Sequence, residues 1–243
     1  ARTYSKTNPE EKNRIVADHL SDYLFTSDQI SVENLKKEGI NPDQIIFSGD
    51  VMYDQFLHIL AHNMDISTNA YPNDFLLMTW HRQENTCSRN RMEKMLSFLE
   101  KIDYKIILPL HPRTRKLLIE NSLWERVKGN ENLIVIDPVG YKEMTVLLSR
   151  CKVLISDSGG ASKEASFVGK KCFFPLSLKV WPELIMQGYI NIVDIENDES
   201  IRENVEEMEK IIHMNKKMDK SSCFGNGNAA EIIVDTIEKA LGI

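Results

Sequence analysis

Two hydrophobic patterns alternate along the chain. Apolar residues recur at three- and four-residue spacing over residues 9–23, 32–39, 92–101, 143–150 and 161–168, which predicts amphipathic helices. Between them lie short apolar runs bounded by turn residues, at 23–26, 45–48, 75–79, 105–110, 133–136, 153–156, 171–174 and 191–193. Such runs, without polar alternation, read as strands buried on both faces. Six of them fall between residues 75 and 193, joined by helices or loops, which amounts to a whole Rossmann-like domain. The expected fold class is therefore α/β, a Rossmann-like parallel sheet with helices on both faces. Residues 1–50 offer only helix–strand–helix–strand. Two strands with two helices cannot cover both faces of a sheet, so this front piece is expected to pack on something further. Residues 197–221 read as a charged helix and a loop, and 229–241 as a helix after the turn Phe224-Gly225-Asn226-Gly227.

Composition narrows the class. The 243 residues suffice for one large domain or two small ones, and 42% hydrophobic with 27% charged excludes a disordered or collagen-like chain. The formal net charge of -6, with no cluster of Lys or Arg, argues against nucleic acid and against a membrane surface as partners. No apolar run approaches the roughly 18 residues that a membrane helix needs, and the first residues carry no signal-peptide core. Cys87, Cys151, Cys172 and Cys223 form no C-x-x-C pair. Neither a metal nor a redox dithiol is expected. Unpaired thiols suit a cytoplasmic location. The chain opens at Ala1, without Met and inside a helix-like stretch, and so reads as a fragment.

Polar residues gather where strands end. The run Val153-Leu154-Ile155-Ser156 leads into Asp157-Ser158-Gly159-Gly160 and then a helix. Paired glycines let a backbone turn sharply beside a ligand. A helix start presents N–H groups and a positive dipole end to an anion such as a diphosphate. The same residues also fit a plain strand-to-helix turn with Ser158 as its cap. Glu164, one helical turn further in, fits a ribose diol or a solvated helix face. A second strand end carries His81-Arg82-Gln83-Glu84-Asn85. His81 and Arg82 offer a donor and a fixed cation to a phosphate, while Glu84 and Asn85 also suit a helix entry. At a third, His111 sits between Pro109 and Pro112, which restrict the backbone there. Ligands of open α/β sheets lie beyond the carboxyl ends of the strands, so the three ends support one another. Pro9-Glu10-Glu11 has the composition of an ordinary helix start.

These motifs, in this order, resemble the non-hydrolysing UDP-N-acetylglucosamine 2-epimerases. The matching pieces are Pro9-Glu10-Glu11-x-Asn13-Arg14, Asp18-His19-Leu20-Ser21-Asp22, Glu33-Asn34-Leu35-Lys36-Lys37-Glu38-Gly39 and Ser48-Gly49-Asp50-Val51-Met52-Tyr53-Asp54. They continue with His81-Arg82-Gln83-Glu84-Asn85, His111-Pro112-Arg113-Thr114, Pro138-Val139-Gly140-Tyr141, Asp157-Ser158-Gly159-Gly160 with Lys163-Glu164-Ala165, and Phe224-Gly225-x-Gly227. The resemblance implies a GT-B-like architecture of two Rossmann-like domains with the active site between them. It makes residues 1–52 the end of the first domain, 53–225 the complete UDP-binding domain, and 226–243 a helix crossing back. Most of the first domain would then be missing, and little turnover is expected of the chain as it stands.

The family's chemistry expels UDP from the sugar by elimination and adds it back with a proton delivered to the other face. That demands acid and base groups and stabilisation of the departing diphosphate. The resemblance makes Glu10 and His81 catalytic. It gives Arg14 and Arg82 to the anion, and His111, Ser158, Gly159 and Gly160 to UDP. Glu84 and Asn85 belong to the same substrate-binding motif, Glu164 would hold the ribose, and Met144 marks the uracil segment. No cofactor is implied, and a homodimer is. Two segments depart from the family pattern, Pro175-Leu176-Ser177-Leu178-Lys179-Val180-Trp181-Pro182-Glu183 and Gly159-Gly160-Ala161-Ser162-Lys163-Glu164. They leave the exact UDP-N-acetyl-hexosamine open. A GT-B glycosyltransferase, a non-catalytic nucleotide-sugar module and a hydrolysing epimerase remain as alternatives.

Overall fold

A computed structural model describes residues 9–63, 71–176, 180–214 and 218–243, apart from the side chain of Glu10. The chain divides into two compact units, Ala1–Ile59 with Ser221–Ile243, and Leu60–Lys220.

The first unit opens with α1 (Pro9–Leu20), β1 (Leu24–Thr26), α2 (Gln29–Lys37), β2 (Ile45–Phe47) and most of α3 (Val51–Asn63). The two strands pair in parallel, Leu24 opposite Ile45 and Thr26 opposite Phe47. Asp28 caps α2, its carboxylate accepting from the Ser31 amide at 2.7 Å. Leu24, Leu35 and Ile40 form a small core.

The second unit contains β3 (Leu76–Thr79), α4 (Arg89–Glu100), β4 (Ile106–Pro109), α5 (Pro112–Glu120), α6 (Trp124–Gly129) and β5 (Leu133–Ile136). It continues through α7 (Tyr141–Arg150), β6 (Leu154–Ser156), α8 (Gly159–Phe167), β7 (Cys172–Phe174), α9 (Pro182–Met186), β8 (Ile190–Ile192) and α10 (Asp198–Met214). These are the six strands expected from the apolar runs. All pair in parallel, in the order β5-β4-β3-β6-β7-β8. Counted from β3, that is the 3-2-1-4-5-6 order of dinucleotide-binding sheets, with its reversal between β3 and β6. Every residue of β3, β4, β6 and β7 is buried. Leu76, Met78, Ile106, Leu108, Ile155 and Phe173 share one core with Met92, Met95, Leu96 and Leu99 of α4 and Ile201 and Met208 of α10. The alternate residues Leu77, Ile107, Leu154 and Cys172 are equally buried, and α8 lies on β6 and β7. The sheet is the fully covered parallel kind, as the sequence leads one to expect.

Helices α3, α5, α6 and α9 are additions to the expected set. Helices α6 and α9 have only 6 and 5 residues, too few to carry a helical period. In α5 the apolar residues Leu117, Leu118 and Ile119 are consecutive rather than spaced. In α3 the buried Tyr53, Phe56 and Ile59 do repeat every three residues, but Val51, Met52, Leu57 and Leu60 stand beside them and widen the stripe.

The tail returns to the first unit as α11 (Ala229–Leu241). Its first amides, of Ala229 and Ala230, donate to the Asp54 carboxylate at 3.1 and 2.7 Å. Just before it, Gly49 and Gly225 have φ of +84° and +81°, and the Asp50 amide donates to the Phe224 carbonyl at 3.0 Å. Among the described residues no helix is long and apolar enough to cross a membrane.

Candidate functional site

The ends of β3, β4 and β6 lie side by side and open into one cavity of about 370 Å³. Thr79, Trp80 and His81 line it from β3, Pro109 and His111 from β4, and Ser158, Gly160, Ala161 and Glu164 from the β6–α8 turn. Pro138 and Val139, between β5 and α7, and Met144 of α7 complete the wall. A cavity at the carboxyl edge of the strands, at the reversal of strand order, is where such sheets hold ligands.

Ser158 caps α8 with its hydroxyl, which accepts from the Ala161 amide at 3.3 Å, and its carbonyl accepts from Ser162 at 3.0 Å. The capping and the anion-binding readings of this turn are compatible. The cap serves the third amide, while those of Gly159 and Gly160 are of the kind a helix start leaves without intrahelical acceptors. Gly160 lines the cavity. A Cβ on Gly159 would lie 3.4 Å from Val180 and 3.8 Å from the Arg82 guanidinium, ordinary contact distances that place this helix start beside a cation. The Trp181 indole N–H donates to the Gly159 carbonyl at 2.6 Å, and the Lys163 ammonium lies 4.6 Å from the centre of the indole. Of the divergent segment 175–183, residues 177–179 lie outside the described residues.

Asp157 joins two of the strand ends. Its side chain is fully buried and accepts from the amide of His81 at 3.1 and 3.2 Å and of Arg82 at 2.9 Å. Asn85 donates its Nδ2 to the same carboxylate at 3.3 Å, and its Oδ1 accepts from Arg91 Nε at 3.2 Å. Asn85 is thus wholly buried and spent on this network, and it does not line the cavity. Glu84 is exposed, 3.9 Å from Arg82, and stands outside the lining as well. A hydrogen bond of 2.6 Å between the Thr79 and Ser156 hydroxyls ties β3 to β6 just below.

His81 and His111 face the cavity with ring centres 6.4 Å apart. His111 also caps α5, its Nδ1 accepting from the Arg113 amide at 3.2 Å. At the far end Glu164 accepts from the Tyr141 hydroxyl at 2.7 Å, and Met144 lies one turn along α7.

Of the residues expected from sequence, His81, His111, Met144, Ser158, Gly160 and Glu164 share this cavity, with Gly159 and Arg82 beside it. Glu10 and Arg14 belong to α1 in the first unit. The Glu10 side chain lies outside the described residues. Arg14 pairs with the buried Glu11 at 3.1 Å. Asp157, Tyr141 and Trp181 lie within the sequence motifs, which by themselves mark no role for them. Their partners lie far away in sequence, so no local spacing marks them.

A Rossmann-like unit with a helix start, two histidines and a carboxylate around one cleft is a nucleotide-binding type of fold and site. The chain belongs to the UDP-N-acetylglucosamine 2-epimerase family, which it matches over residues 1–238. It is 37% identical, over 97% of its length, to a Methanococcus maripaludis protein named UDP-N-acetylglucosamine 2-epimerase homolog. It is 34% identical, over 98% of its length, to the Pseudomonas aeruginosa UDP-2,3-diacetamido-2,3-dideoxy-D-glucuronate 2-epimerase. The chain covers 66% of each of these two relatives. Its fold matches the crystal structure of the Methanocaldococcus jannaschii UDP-GlcNAc 2-epimerase in complex with UDP-GlcNAc and UDP. That match has a TM-score of 0.81 at 32% identity, covering 98% of this chain and 67% of the other.

Proposed function

We propose that this chain is the UDP-binding part of a non-hydrolysing UDP-N-acetylglucosamine 2-epimerase, an isomerase that interconverts UDP-GlcNAc and UDP-ManNAc. The observation that carries this reading is the cavity at three adjacent strand ends, in a chain of this family. The diphosphate sits at the start of α8, against the amides of Gly159 and Gly160, Ser158, His111 and Arg82. Glu164 takes the ribose hydroxyls, and the backbone at Met144 meets the uracil. Glu84 and Asn85 act from behind, Asn85 by holding Asp157. His81 faces the sugar end, and Glu10 and Arg14 come from α1 as a catalytic carboxylate and an anion-supporting cation. In the reaction, the C2 proton leaves to a base as the C1–O bond to UDP breaks. The glycal then regains a proton at C2 on the opposite face as UDP re-adds at C1.

In the same reading, residues 1–52 end a first Rossmann-like domain, residues 53–225 bind UDP, and 226–243 cross back. The enzyme works in the cytoplasm, which its free cysteines support, and it forms a homodimer. A second substrate has one observation in its favour, since a relative at 34% identity is named for a diacetamido-glucuronate. Two measurements decide. Calorimetry with UDP is expected to give saturable heat, and its absence ends the UDP-binding reading. Long incubation with UDP-GlcNAc at high protein concentration, since little turnover is expected of this chain alone, followed by NMR of the products, distinguishes UDP-ManNAc from free ManNAc with UDP.

A further inference from the structure

We propose that Asp157 is a positioning residue that fixes the tautomer of His81, so that the two histidines facing each other in the cavity carry opposite chemistry. His81 presents a basic Nε2, and His111 presents an Nε2–H donor. What these groups act on rests on the nucleotide-sugar reading above.

The surroundings of each Nδ1 set the tautomer of its ring. In His111 that nitrogen accepts from the Arg113 amide at 3.2 Å. An accepting ring nitrogen carries no proton, so the neutral ring bears its proton on Nε2. In His81 the Nδ1 lies 3.3 Å from Asp157 Oδ1. At that distance a lone pair on Nδ1 would face the carboxylate oxygen, so the field of the anion favours the proton on Nδ1 and leaves Nε2 its lone pair. Free imidazole side chains favour the opposite tautomer, and His81 is therefore held away from its default. Asp157 can impose this because it has no freedom of its own. It is fully buried, and the amides of His81 and Arg82 grip it, together with Asn85 Nδ2. Asn85 is in turn oriented by Arg91 through its Oδ1, which turns its Nδ2 towards Asp157.

The consequence is a division of labour. A phosphate oxygen finds a donor in His111 but faces a lone pair in neutral His81. His111 anchors the anion, and His81 takes up a proton at Nε2, the resulting imidazolium facing the Asp157 carboxylate.

The test is NMR of the ligand-free chain labelled with ¹⁵N-histidine, above the pH range in which imidazoles titrate. The signals of the six histidines are assigned with His81→Asn and His111→Asn. His81 is expected protonated on Nδ1 and bare on Nε2, and His111 the reverse. In Asp157→Asn, His81 is expected to lose its Nδ1–H preference while His111 stays unchanged. An Nε2–H tautomer at His81 in the parent chain overturns the proposal, as does an unchanged His81 pattern in a folded Asp157→Asn. Should that variant not fold, the parent pattern decides by itself. No nucleotide is present, so a failure to bind UDP sinks the functional reading without touching this one.

Discussion

The two units of this chain contain the same kind of alternation between strand and helix, yet they bury it to different degrees. In the second unit four neighbouring strands are buried along their whole length, with apolar side chains covered on both faces. In the first unit the two strands are half covered, and Phe47 is 43% exposed. Ile15, Val16 and Leu20 of α1 and Val234, Ile237 and Leu241 of α11 are exposed too. Each interior strand added to a parallel sheet lets its neighbours bury both faces, whereas a pair of strands is all edge. A preformed ligand cleft needs the first situation, because its polar side chains must be held by something that does not move. The cavity described here lies wholly within the second unit.

The largest expected effect tests that contrast directly. Phe173 is fully buried in the six-stranded sheet, and Phe173→Ala is expected to cost about 3–5 kcal/mol. Leu24 belongs to a cluster of three buried residues, and Leu24→Ala is expected near the lower limit for leucine, about 2 kcal/mol. Urea titration followed by thiol labelling separates the two. Burial pushes the Cys151 thiol up to about 12 and raises that of Cys172, so both stay unreactive until the sheet opens. Cys223, partly exposed in the first unit, is expected to react at lower urea. Simultaneous labelling of all three would show that the contrast in burial is not one in stability.

Next in size is the backbone contact that ties the tail to the first unit. A Cβ on Gly225 would stand 2.9 Å from the Gly49 Cα, at a φ of +81°. Backbone meets backbone there, so no side chain can yield. Gly225→Ala is expected to cost about 2 kcal/mol. Gly39 has a similar φ of +84° but nothing within 4 Å, so Gly39→Ala is expected to cost only the conformational part, about 1 kcal/mol. Equal midpoint shifts in urea would mean that the Gly49–Gly225 approach is not tight in solution.

The contrast between the units also explains what could be read before any coordinates. Strands β3 to β8 were legible because burial on both faces writes itself as uninterrupted apolar runs. Three polar strand tips at one edge of the sheet were legible for the same reason, since strand–helix alternation makes the strands parallel and polar residues follow these runs, whereas the order that makes them neighbours is seen only in the fold. Helix α3 was not legible, because Val51, Met52, Leu57 and Leu60 adjoin its buried positions and widen the stripe. Within the site, His81, His111, Ser158, Gly160 and Glu164 announced themselves by type and place. Asn85 looked like a ligand contact, and its buried side chain bonds to Asp157 and Arg91 outside the cavity lining. The Asp157 carboxylate and the Tyr141 hydroxyl act on residues that only tertiary structure brings near, and no one-dimensional pattern encodes such pairs.

Tyr141 offers the finest probe of how far the second unit is preorganised. Its hydroxyl donates to Glu164 at 2.7 Å, while its ring is 44% exposed at the start of α7. Tyr141→Phe therefore removes a hydrogen bond without opening a core. If the phenol holds the Glu164 carboxylate in the orientation that receives a ribose diol, its loss weakens UDP by roughly fivefold to tenfold, the net worth of one ordinary hydrogen bond. The same substitution is expected to leave the affinity for 2′,3′-dideoxy-UDP unchanged, because that ligand brings no hydroxyls for Glu164 to hold. Calorimetry of the two nucleotides against both chains closes a cycle whose coupling belongs to the Tyr141–Glu164–ribose contact alone. Equal weakening of both nucleotides would instead assign Tyr141 a packing role in the cavity wall. No weakening of either would mean that Glu164 orients itself, and that the order of this cleft comes from the sheet and α8 rather than from α7.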